Sequence, residues 1–102
     1  MKAIIVFESR EGKLVEGSYE ALAFAKELGC ADVAGFYTGP ADTQPAFAGK
    51  LYYSDAGDYN PSLHKSLLLQ AVEAEGADTV IFCHSSYGWD LAPRVALALG
   101  AA

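Results

Sequence analysis

Two stretches of this chain, Ala3 to Phe7 and Val80 to Cys83, are apolar at every position instead of every second one. A strand with one wet face alternates polar and apolar residues. A strand that is apolar throughout is buried on both faces, which is the pattern of a parallel sheet covered by helices. Residues 3–8, AIIVFE, are therefore read as the first strand and residues 78–85, DTVIFCHS, as the fourth.

The chain between them supplies the covering helices. In residues 18–28, SYEALAFAKEL, the spacing puts Leu22, Ala25 and Leu28 on one face, with Ser18 as the amino-terminal cap and Gly29 as a left-handed exit. Residues 31–38, ADVAGFYT, and 51–55, LYYSD, are β-prone and read as strands two and three. The link at residues 39–49 has two prolines and a glycine at each end, so it holds a turn or two of helix at most. Asn60-Pro61 marks a helix start, and Leu63, Leu67, Ala71 and Ala74 continue a stripe to Gly76, predicting a helix over 61–75. Asp90 is read as the cap of a last helix with Pro93 in its first turn and Leu91, Val95, Ala98 and Leu99 on one side. The order βαββαβα with short joints predicts an α/β domain, a parallel sheet of about four strands with flanking helices and right-handed crossovers.

With 102 residues, 52% of them hydrophobic, the chain has material for one core and one domain. Its net charge of −6 with only 7 Lys and Arg argues against nucleic acid, whose binding draws on clustered cations, but leaves open a basic protein partner. No signal peptide is recognisable and no apolar run approaches the ~20 residues of a membrane span, so a cytoplasmic, non-membrane protein is expected. Cys30 and Cys83 lie outside any metal or redox spacing and are read as reduced, buried thiols. His84 beside Cys83 points to the opposite face of a strand, and no metal site is expected.

In a sheet of this kind ligands approach the carboxyl ends of the strands where the winding reverses, which directs attention to Glu8–Lys13 and His84–Trp89. ESREGKL lacks the glycine fingerprints of dinucleotide and phosphate loops, and Glu8, Arg10, Glu11 and Lys13 read as charges on a solvated turn around Gly12. HSSYGWD offers two hydroxyls and one glycine before a helix terminus, a weak phosphate signal. His64 and His84 are not arranged with a serine as a hydrolase would require, so no catalytic residue is assigned. Trp89 either folds back on apolar neighbours or, beside Tyr87 and Arg94, forms an interface hot spot. Arg94 is either an ion-pair partner or a contact for another chain.

The segment SSYGWDLAPRVALALG resembles the T/S-x-x-G-K/R-D-L-x-P-R-x-A-x-x-L signature of the amino-terminal domain of electron-transfer flavoprotein α subunits, with Trp89 where that family usually has Lys or Arg. The opening MKAIIVFESREGKLVEGSYEALAFAKELG is similar to that family's opening, and the likeness covers almost the whole chain. The resemblance implies an adenine-nucleotide hydrolase-like domain with sheet order 3-2-1-4, and a fifth strand that would follow Ala102, so that the domain is expected to be incomplete at its carboxyl end. It also implies an electron-carrier domain without its own catalytic site. FAD is then held by another domain and AMP by a β subunit, with dehydrogenases reached through the complex. No cofactor-binding residue is carried onto this chain. Tyr87, Gly88, Trp89, Asp90 and Arg94 are the candidate subunit or partner interface, and an unblunted fourth strand at the sheet edge leads us to expect a possible homodimer. The alternatives are a stand-alone nucleotide-binding domain resembling universal stress proteins, whose glycine-rich phosphate pattern is absent, and a flavodoxin-like carrier, whose hydroxyl-rich first loop is absent.

Overall fold

The structure is a computed structural model that describes residues 2–10, 13–14, 16–30, 32–39, 47, 49–54, 61–83 and 86–99. Strand β1 (Lys2–Phe7) leads into a small antiparallel hairpin, β2 (Ser9–Arg10) and β3 (Lys13–Leu14), followed by helix α1 (Glu16–Glu27). Strands β4 (Asp32–Thr38) and β5 (Leu51–Ser54), helix α2 (Pro61–Glu75), strand β6 (Thr79–Ile81) and helix α3 (Ser86–Leu99) complete the order. The main sheet runs β5-β4-β1-β6, all parallel, which is the order 3-2-1-4 of the four principal strands. Most of the link over 39–49 lies outside the described residues.

Successive side chains of β1 leave the sheet on opposite faces, so an unbroken apolar run feeds two cores at once. Ile4 and Val6, with Ala34 and Phe36 of β4, pack against Leu68, Ala71 and Val72 of α2 and Leu91 and Val95 of α3. Ala3, Ile5 and Phe7, with Tyr37 and Ile81, pack against Ala21 and Ala25 of α1. The helices thus form two layers around the sheet. Each large aliphatic or aromatic side chain fully buried here contributes about 1.5–3 kcal/mol. The fourth strand is shorter than the expected 78–85, since pairing with β1 covers only Thr79 to Ile81. Among the described residues it pairs on one side only, and Thr79 and Val80 are accordingly half-buried.

Both glycine exits form as the sequence predicts. Gly29 (φ 76°) and Gly76 (φ 67°) adopt the left-handed conformation, and the residue after each donates its N–H five residues back, Cys30 to the Ala25 carbonyl and Ala77 to that of Val72, both at 3.2 Å. The buried faces differ from the expected ones. On α1 they are Ser18, Ala21 and Ala25, while Leu28 is 43% exposed. On α2 the expected Leu63 and Ala74 face outward, Leu67 is half-buried, and the buried stripe is His64, Leu68, Ala71, Val72 and Glu75. That stripe begins and ends on ionisable residues, which a reading of apolar periodicity passes over.

Candidate functional site

The winding reverses between β1 and β6, because the chain leaves β1 toward β4 and β5 and returns to the other side of β1 as β6. The carboxyl ends of these two strands are where such a sheet takes ligands. Among the described residues, the side chains of Ser18 and Cys83 meet at these strand ends. Ser18 is not a cap: α1 begins two residues earlier, and the Ser18 hydroxyl, wholly buried, accepts the Glu8 N–H at 2.9 Å and lies 3.3 Å from the Glu8 carbonyl. It also lies 3.4 Å from Cys83 Sγ, which in turn reaches the Val6 carbonyl at 3.6 Å. One hydroxyl and one thiol thereby stitch α1, the end of β1 and the segment after β6 together.

Glu8 is buried, contrary to its expected place on a solvated turn, because the hairpin begins immediately after it. The hairpin is anchored by Tyr37, whose hydroxyl donates to Ser9 Oγ at 3.0 Å. Lys13 is exposed as expected, whereas residues 11 and 12 and the Arg10 side chain lie outside the described residues. Burial pushes the Cys83 thiol above its ordinary range; the Ser18 hydrogen bond pulls the other way and the Glu8 carboxylate adds to the rise. A thiol held protonated is a poor nucleophile and a poor metal ligand. Cys83 is buried as predicted, while Cys30 is only half-buried. The described part of the crevice does not fit a phosphate group: the N–H at the end of β1 is bonded to Ser18, and the adjacent charge is a carboxylate.

The candidate interface residues all fall on α3. Its backbone is helical from Ser86, so Tyr87, Gly88 and Trp89 lie in its first turn, not in a loop ahead of it; the side chains of Tyr87 and Trp89, and His84, lie outside the described residues. Asp90 is not the cap. It sits one turn inside, where Arg94 donates to it through Nε (3.3 Å to Oδ2) and Nη2 (3.3 Å to Oδ1). An i,i+4 bidentate pair on an exposed helix contributes a few tenths of a kcal/mol, about 0.5 at most. Pro93 is also interior to the helix, where it has no N–H to offer the carbonyl four residues earlier. Of the predicted stripe, Leu91 and Val95 are buried; Ala98 and Leu99 side chains are outside the described residues.

A second polar group, which the sequence reading missed, closes the opposite end of the sheet. The buried Glu75 carboxylate accepts the Tyr52 hydroxyl at 2.8 Å and lies 3.4 Å from Lys50 Nζ and 3.8 Å from Lys2 Nζ. The Tyr52 hydrogen bond, followed by the Lys50 hydrogen bond and the lysine charges, holds the carboxyl below its ordinary range against the opposing effect of burial. An open groove of about 350 Å³ lies beside Tyr52, between β5 and α2, lined chiefly by Phe36, Tyr53, Leu67 and Ala74. Its described lining carries no Asp, Glu, His, Cys, Lys or Arg side chain.

His64, 2% exposed, packs its Nδ1 3.2 Å from Thr38 Oγ1, and burial lowers its pKa below the ordinary 6.5. The pH dependence of stability follows. A depressed folded pKa means that the unfolded chain binds the His64 proton first, so this contribution is complete above about pH 6.5 and is lost as pH falls through the folded value. Glu75 adds a second loss below its ordinary 4.5, in the same direction. Urea denaturation at pH 7.5, 6.0 and 5.0 should show stability falling stepwise, with the upper part of the fall flattened in His64→Asn; a pH-independent profile between 7.5 and 5.0 would refute the assignment.

Fold and site together define a three-layer α/β domain with a parallel 3-2-1-4 sheet in which Ser18 and Cys83 meet at the carboxyl ends of the central strands. Curated protein sequences give no match. The family model for the electron transfer flavoprotein domain matches residues 3–102, and the chain belongs to that family. This agrees with the resemblance drawn from the first and last segments, and it does not favour the universal-stress-like alternative. Among the described residues no helix is long and apolar enough to cross a membrane, and no group of three or more His, Cys, Asp or Glu is placed to hold a metal ion.

Proposed function

We propose that the chain is the amino-terminal scaffold domain of an electron-transfer flavoprotein α subunit, a non-catalytic part of a FAD-containing heterodimer that takes electrons from dehydrogenases. In this reading the flavin is carried by another domain and AMP by the β subunit, and this domain supplies packing surface. The observation that carries it is the family match over residues 3–102, and the Ser18–Cys83 contact, which fastens α1 to the carboxyl ends of the central strands, is in keeping with a packing role. Subunit contact is then assigned to α3 through Tyr87, Gly88, Trp89, Asp90 and Arg94. The family supports an electron carrier, and the sequence signature favours the α over the β subunit.

The test is direct. The purified chain should carry no flavin absorbance and should bind AMP more weakly than a dissociation constant of about 10 μM in calorimetry. Mixed with a β subunit of the same family, it should form a complex that Asp90→Lys combined with Arg94→Glu weakens. Flavin copurifying with the chain alone, or AMP binding tighter than that limit, would overturn the scaffold reading; a complex indifferent to the α3 substitutions would remove α3 from the interface.

A further inference from the structure

Glu75 joins elements that depend on it unequally. It ends α2, where a carboxylate meets the negative end of the helix dipole, and the charges that offset this come from Lys2 of β1 and from Lys50, immediately before β5. Tyr52 of β5 donates the third contact. These are the titratable and charged groups that face the carboxylate among the described residues. Strand β1 is secured in other ways. It pairs with β4 and β6, and Lys2 Nζ also lies 3.5 Å from Asp32. The Lys2 N–H donates to Asp78 Oδ1 at 3.2 Å, and its carbonyl accepts the Asp78 N–H at 2.9 Å. Helix α2 is held by Leu68, Ala71 and Val72 in the core.

Strand β5 has fewer ties. It is four residues long, lies at the edge of the sheet and, among the described residues, pairs with β4 alone. Gly35 of β4 donates its N–H to the Lys50 carbonyl at 2.8 Å, and Gly39 donates to that of Ser54 at 3.1 Å, one at each end of the strand. Tyr53 stacks on Tyr37 at 5.9 Å between ring centroids and donates to the Gly39 carbonyl at 3.0 Å, which fastens the carboxyl end. At the amino end Leu51 is only half-buried, and the polar ties are those of Lys50 and Tyr52 to Glu75. Without the charge on Glu75, Lys2 keeps Asp32, whereas Lys50 has no second carboxylate within ion-pair distance among the described residues. A loss at Glu75 therefore falls first on β5.

We propose that Glu75 is a proton-operated clamp on the sheet edge: ionised, it holds β5 against β4 and α2 through Lys50 and Tyr52, and protonated, it lets the amino end of β5 leave β4 while β1 and α2 stay in place. Because its partners favour the carboxylate, the clamp is closed above the ordinary 4.5 and opens as pH falls through a folded value below that. Opening bares the outer edge of β4 beside the groove at Tyr52. Native-state hydrogen exchange in the whole chain reads this, since the Gly35 amide reports the amino end of β5 and the Asp78 and Ile5 amides report β1. At pH 7, Glu75→Gln keeps an acceptor for Tyr52 but removes the charge. It should speed Gly35 exchange about tenfold or more, with Asp78 and Ile5 changing less than about threefold. Lys50→Met, at a side chain 66% exposed, should act in the same direction, and it decides the matter if Glu75→Gln does not fold. In the parent, Gly35 protection relative to Ile5 should fall between pH 5.5 and 3.5; in Glu75→Gln it should already be low and stay flat. An unchanged Gly35 rate in the folded variants, or Gly35 and Ile5 speeding up by the same factor, would show that Glu75 gates no local opening and would overturn the proposal.

Discussion

Gly35→Val should lower the unfolding free energy by about 3 kcal/mol, a large share of the 5–15 kcal/mol typical of a domain. Gly35 lies in the middle of β4, paired with Ile5 of β1 and Leu51 of β5. A Cβ there would stand 2.7 Å from Phe7 Cε2 and 2.9 Å from Leu51 Cδ1, well inside carbon–carbon contact distance. The Phe7 ring has little room to withdraw: it is 2% exposed and lies 5.4 Å from the Phe47 ring, centroid to centroid. A β-branched residue gains up to about 1 kcal/mol of strand preference over glycine, which is too little to offset the overlap. The interaction is separable from general strand effects by a double-mutant cycle. Phe7→Leu costs stability by itself, yet in the Gly35→Val background it should cost about 1 kcal/mol less, or restore stability, because it removes the obstructing ring. Strict additivity of the two changes in urea denaturation would show that glycine serves no such close approach.

Ser18→Ala should cost about 1–3 kcal/mol, since the Glu8 N–H then loses its acceptor in a place water does not reach. The change removes one oxygen and creates almost no cavity, so the loss reports the hydrogen bond. The matched control is Ser62→Ala on the exposed side of α2, expected within about 0.5 kcal/mol of the parent. Hydrogen exchange supplies the local readout. The Glu8 amide should become among the faster-exchanging amides of the sheet in Ser18→Ala while the Ile5 amide stays protected; an unchanged Glu8 amide would mean that the Ser18 hydroxyl is not its acceptor. The same residue explains why a serine that has the sequence look of a helix cap is wholly buried.

Several features were legible in the sequence because they depend on short-range constraints. The unbroken apolar run of β1 specifies a strand buried on both faces, and from it follow the parallel sheet and helices on either side, whereas the second run forms a shorter, half-buried strand. Gly29 and Gly76 mark helix exits because a left-handed residue with no Cβ penalty is needed there, whatever surrounds it. Pro61 opens α2 since a first-turn residue needs no N–H partner. The terminal motifs likewise carried the family, since the spacing of Gly88, Asp90, Leu91, Pro93 and Arg94 is a property of the chain itself.

Only the tertiary structure decided how each helix is rotated about its axis and what its polar residues do. Ser18 and Asp90 both have the chemistry of a cap, but one is drawn inward by the Glu8 backbone and the other is held by Arg94 one turn on. Nothing in the apolar periodicity marks His64 or Glu75 as buried, since a charge is normally costly to bury; Glu75 is buried because Tyr52, Lys50 and Lys2 arrive from distant parts of the chain, and His64 is buried in its neutral form against Thr38. Their burial shifts the face of α2 by one position from the apolar stripe. The physical reason is the same in each case: a residue's local preference is worth about 1 kcal/mol, and a partner separated by tens of residues, invisible to periodicity, is enough to reverse it.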